Sequence, residues 1–131
     1  VADPSSVSIQ IDADPRFAAA AGGVARYFGD SSGLEVGATS QLQAAVVAAC
    51  QEAFEHLTPK HPHLTITFTR HADRIEVALS HGGESVPAVG LDAIASGAAA
   101  LDGVDRVQYE IKGGRTVTLL TKYVAQGAPR R

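Results

Sequence analysis

The sequence predicts a two-layer α+β sandwich: one antiparallel-rich mixed sheet, helices on one face only, in the order β-α-α-β-β-α-β-β. Three observations predict it. Several segments alternate apolar and polar residues at every second position, as strands that bury one face do. Four of the predicted strands fall into two pairs joined by short links, which demands antiparallel neighbours. Two longer segments repeat their apolar residues at helical spacing. Because the strands have one apolar and one polar, Thr-rich face, helices are needed on one side alone.

The first strand is residues 6–13, SVSIQIDA, with Val7, Ile9 and Ile11 on one face and Ser8, Gln10 and Asp12 on the other. Asp14-Pro15 starts a helix, Asp as N-cap and Pro in the first turn. That helix runs through Phe17, Ala20, Ala21, Val24 and Phe28, and GDSSG ends it. Gly22-Gly23 inside it marks a kink or close packing against a partner. The second helix begins near Leu34 or Gly37 and runs to about Leu57. At about 100° per residue, Leu42, Val46, Ala49, Ala53 and Leu57 share a stripe. TPKHPH stops it, since two prolines cannot continue a helix. LTITFTR (64–70) and RIEVALS (74–80) form a hairpin across HAD, with Leu64, Ile66 and Phe68 facing the same way as Ile75, Val77 and Leu79. HGGESVPAVG (81–90) is a turn-rich loop, and GLDAIASGAAAL (90–101) a third helix of small residues. Residues 104–124 make a second hairpin that turns at Gly113-Gly114. The whole chain, 1–131, reads as one domain with a core over 6–124 and a loose tail over 125–131.

Composition narrows the function. Hydrophobic residues are 45% and charged residues 19%, ordinary for a globular domain. Aromatic residues are only 5%, so the core is expected to be Val, Ile, Leu and Ala. Eleven basic against fourteen acidic residues give a formal charge of -3. Neither a basic track for a phosphate backbone nor a base-stacking platform is present, which excludes nucleic acid as the expected partner. Cys50 is the only cysteine, so no internal disulfide forms, and a cytoplasmic home is expected. No apolar run has membrane-spanning length, and VADPSS has neither part of a signal peptide. The chain contains no methionine, and a domain cut from a longer chain fits that.

The element order, AACQEAFEH at 48–56, the VGLDAI segment and GGRTVTLL in the last hairpin together resemble the Bergerat (GHKL, histidine-kinase-like) ATP-binding fold. Within it the likeness is greatest to the small bacterial anti-sigma factors that are also serine kinases. It covers roughly residues 6–124. The resemblance implies a helix carrying a catalytic Glu and, four residues on, an Asn that binds the magnesium of ATP. Here those positions are Ala48 and Glu52, about 40° apart on a helix and so facing one site. Glu52 could still hold magnesium, since hard cations accept carboxylate oxygens, but it adds negative charge where a triphosphate would sit. The family's adenine-binding Asp, at the end of the third strand, corresponds to Ser80, and the Gly two residues on to Gly82. The motif's second glycine is replaced by Glu84. The lid between Gly82 and Gly90 is short, and the phosphate-cradling Gly-x-Gly of the next helix reduces to Ala88-Val89-Gly90. The family's Thr after the last glycine appears as Arg115, with Thr116 beside it.

The scaffold is thus kept while each chemical position has changed. The resemblance implies an anti-sigma or switch-kinase-like regulator that acts by association with a protein partner, a sigma factor or an anti-anti-sigma antagonist, with homodimerisation a further arrangement. ATP binding is weak or lost, so no cofactor is expected. The alternative is an active serine/threonine protein kinase with an altered Mg-ATP site, Glu52 binding the metal and Ser80 reading adenine. A third reading is an α/β sandwich whose likeness is topological only. The candidate cofactor-binding positions are Glu52, Ser80, Gly82, Gly90 and Thr116. Outside the resemblance, Cys50 reads as a buried structural thiol: His56 lies about 240° around the helix from it and cannot act as its base. A metal site of His56, His61 and His63 with Glu52 lacks a second ligand cluster, and HPH beside a helix end is ordinary loop composition.

Overall fold

The computed structural model describes residues 5–82 and 103–124. Its elements are β1 (Ser5–Asp12), α1 (Pro15–Ser31), α2 (Val36–Phe54), β2 (His63–Arg70), β3 (Arg74–Gly82), β4 (Arg106–Lys112) and β5 (Arg115–Tyr123). The strands form one sheet in the order β1-β2-β3-β5-β4. Every pairing among the described residues is antiparallel, so the sheet is antiparallel rather than mixed. The third helix expected at 90–101, the loop before it and the tail at 125–131 lie outside the described residues.

The alternation read from the strands decides the layers. Val7, Phe68, Val77 and Leu120 oppose one another across the sheet, as do Ile9, Ile66, Leu79 and Thr118. Since opposed residues share a face, this is the face toward the helices, and Leu64, Ile66, Phe68, Ile75, Val77, Leu79 and Leu120 are almost fully buried there. α1 lies over β1 and β2, and α2 over β2 and β3. Phe28 of α1 stacks on Phe68 with ring centroids 5.7 Å apart. The other face carries Ser6, Ser8 and Gln10 of β1, Thr65, Thr67 and Thr69 of β2, and Glu76 and Ser80 of β3.

α1 starts as expected: Asp14 accepts a hydrogen bond from Arg16 N at 2.8 Å, with Pro15 in the first turn. Its buried stripe differs from the expected one. Ala18, Ala21, Gly22, Ala25, Phe28 and Gly29 are buried, whereas Phe17 is 39% exposed and Ala20 is exposed. The smallest residues face the core because α2 comes so close. A Cβ on Gly22 would lie 2.6 Å from Val47 Cγ2, and one on Gly29 would lie 3.0 Å from Thr39. In α2 the expected stripe of Leu42, Val46, Ala49 and Ala53 is buried, and Leu57 lies beyond the helix, half-buried against the core. Gly113 and Gly114 have φ of 60° and 78°, the paired positive values of a tight two-residue hairpin turn. Among the described residues no helix is long and apolar enough to cross a membrane.

Candidate functional site

The strand periodicity brings several polar groups to one end of the helix-facing side of the sheet. Ile75, Val77 and Leu79 point at the helices, so His81, next in that series, does too, and it is 5% exposed. Thr116 of β5 pairs opposite it and is 2% exposed. Two residues further along β5, Thr118 pairs with Tyr109 of β4. α2 crosses this end with its last turns and sets Glu52 over the strands, with His56 just after it. Glu52, His56, His81, Tyr109, Thr116 and Thr118 line one cleft, floored on the helix side by Ala49 and Ala53.

The cleft is nearly filled. The Tyr109 hydroxyl donates to Glu52 Oε1 at 3.4 Å, a long bond. The rings of His56 and His81 lie 6.2 Å apart and within 10° of parallel. His81 Nδ1 is 3.0 Å from the carbonyl oxygen of Gly82. A carbonyl can only accept, so Nδ1 is the donor in this contact. Burial pushes the Tyr109 hydroxyl above its ordinary range, and the Glu52 carboxylate adds to the effect by charge and by its hydrogen bond. The remaining space is about 20 Å³. No Lys or Arg is among the described residues that line it.

Of the expected site residues, Glu52 and Thr116 meet here. Ser80 and Gly82 do not. They alternate with His81 along β3 and so face the opposite side of the sheet, where Arg115 Nε donates to Ser80 Oγ at 2.8 Å. A side chain at Gly82 would run into the ring of His61, so the glycine there serves a close ring-to-strand contact. Gly90 lies outside the described residues. Ala48, at the catalytic-base position of the resemblance, is exposed on α2. His61 and His63 sit on the Ser80 side of the sheet, away from Glu52 and His56. No group of three or more His, Cys, Asp or Glu among the described residues could hold a metal ion. Cys50 is fully buried, and burial pushes its thiol up to about 12, which leaves no nucleophilic thiolate near neutral pH.

His81, Tyr109 and Thr118 are the cleft residues that sequence reasoning missed. The signal for His81 was parity: it follows Ile75, Val77 and Leu79 at the same spacing. Tyr109 had a weaker one, as the aromatic residue two places after Val107 on a strand.

No protein-family model matches the chain, and no curated protein sequence matches it.

Proposed function

We propose that the chain is a regulatory protein that acts by association with another protein, on a scaffold like that of the anti-sigma serine kinases, with nucleotide binding weak or lost. The observation that carries this reading is the cleft between α2 and β5. It has about 20 Å³ of free space, a carboxylate over it and no cation among its described lining residues. Pockets that hold small ligands usually offer roughly 300–1,000 Å³. Triphosphates need positive charge, a metal or backbone N–H groups to offset their own charge. The position that would read adenine, Ser80, is on the other face and is engaged by Arg115. Phosphoryl transfer depends on holding metal and phosphates in place, so a protein without that hold is left with docking as its means of action.

The partners this reading names are a sigma factor and its antagonist. The test is sedimentation of the purified chain with each of them in nucleotide-free buffer. The expected result is a stoichiometric complex with one of the two, unchanged by Glu52→Ala. No complex with either, or one that forms only with Mg-ATP, would contradict the reading.

One observation favours the alternative, an active serine/threonine protein kinase. Glu52 is an exposed carboxylate at the cleft, and such a group can take a magnesium ion. Phosphorylation of an antagonist serine that disappears in Glu52→Ala would be its mark.

A further inference from the structure

The polar face of the sheet holds a second concavity, of about 350 Å³, and the function proposed above does not use it. Lys60, His61 and His63 come to it from the α2–β2 connection and the start of β2, Thr65 from β2, Ser80 from β3 and Arg115 from β5. We propose that it binds a small, hydroxyl-bearing organic phosphate.

Size is the first argument, since the volume lies within the range of small-molecule pockets. Charge is the second. In a chain of formal charge -3, Lys60 and Arg115 converge here with two histidines, and no Asp or Glu is among the described lining residues. The carboxylate nearest in register, Asp12, is engaged by His63, with Oδ1 2.7 Å from Nδ1. Order is the third. Arg115 Nε donates to Ser80 Oγ, which fixes the guanidinium and leaves its terminal amino groups as donors suited to a phosphate or carboxylate. The connection carrying His61 is tied down as well. His61 N donates to Thr58 O and to Thr58 Oγ1, both at 3.0 Å, and Thr58 N donates to His61 O at 3.1 Å. The bare Cα of Gly82 lets the His61 ring lie against the strand.

The rest of the lining points to the body of the ligand. The floor presents the hydroxyls of Thr65 and Ser80 and the amide of Gln10, with no Phe, Tyr or Trp among the described lining residues. Such a surface suits a hydroxylated body rather than a flat aromatic one.

The test is an amide chemical-shift titration, following Thr65, Ser80 and Gly82 with inorganic phosphate, with glycerol 3-phosphate, and with sodium chloride at matched ionic strength. The expected result is saturable shifts with both phosphates and tighter binding of glycerol 3-phosphate. Arg115→Gln should weaken it about tenfold or more, as loss of a charge-assisted contact does. Lys60→Gln, a safeguard should Arg115→Gln disturb the β4–β5 hairpin, should weaken it several-fold. Glu52→Ala, on the other face, should leave it unchanged. Absent or unsaturable shifts, shifts reproduced by sodium chloride, or binding kept in both variants would overturn the site. Equal binding of the two phosphates would overturn the organic ligand. None of these outcomes bears on partner association, so the two proposals fail separately.

Discussion

Cys50 has none of its surface exposed, and its thiol is pushed from the usual 9.0 to about 12 by burial alone. The native protein should therefore resist iodoacetamide at neutral pH and react only when unfolded. Stability follows from the same shift. Below about pH 9 the thiol is protonated in both states and contributes no pH dependence. Above it the unfolded chain loses the proton first, so stability falls toward pH 12. Urea unfolding should show wild type losing about 1.4 kcal/mol per pH unit more than Cys50→Ala in that window. Equal slopes would mean the thiol is not desolvated. Thr39, 1% exposed, has a buried Oγ1 with no hydrogen-bond partner among the described residues. Thr39→Val should leave stability unchanged or raise it by about 1 kcal/mol, because a buried hydroxyl without a partner is costly. A loss above about 1 kcal/mol would show that the hydroxyl is satisfied. At this scale the sequence was legible for Cys50 and half legible for the cleft. Ser80 is named only by the resemblance, as the residue at the strand end two places before Gly82, yet the parity of Ile75, Val77 and Leu79 already puts it on the far face and His81 on the near one.

Between the two helices the contact is made by glycine and alanine, and that is where reading by apolar letters failed. Phe17 looks like a core residue of α1 but is exposed, while Ala21, Phe28 and, in part, Val24 are buried as expected. The contact with α2 adds Ala18, Gly22, Ala25 and Gly29, whose small size allows α2 to approach. Helical spacing alone does not distinguish a stripe of large residues from one of small residues beside it. The two adjacent glycines make a test. Gly23 has nothing within 4 Å of an added Cβ, so Gly23→Ala should stabilise by about 0.5–1 kcal/mol through helix propensity. Gly22→Ala gains the same propensity but pushes on Val47, and should end about 1–3 kcal/mol less stable than Gly23→Ala in denaturant unfolding. Equal stabilities would mean that the helices can part without cost. The strands were more legible, because a period of two with a buried face leaves only one register. The turn at Gly113-Gly114 was legible because glycine takes successive positive φ values at little cost.

Among the described residues the sheet has two unlike faces, with helices over one and a polar surface with a hollow lined by Lys60 and Arg115 on the other. That division was visible in the alternation of Thr with Ile, Val and Leu. What could not be read was which residues meet across the sheet order, since β5 lies between β3 and β4 and brings Thr116 to His81 and Tyr109 to the same end. The order depends on how the second hairpin docks, and no local pattern encodes it. We propose that this end of the molecule does not hold a nucleotide. Calorimetric titration with ATP and ADP, with and without magnesium, tests it most directly. No magnesium-dependent heat and no stabilisation are expected even at millimolar nucleotide. Micromolar, magnesium-dependent ATP binding that is lost in Glu52→Ala would contradict it.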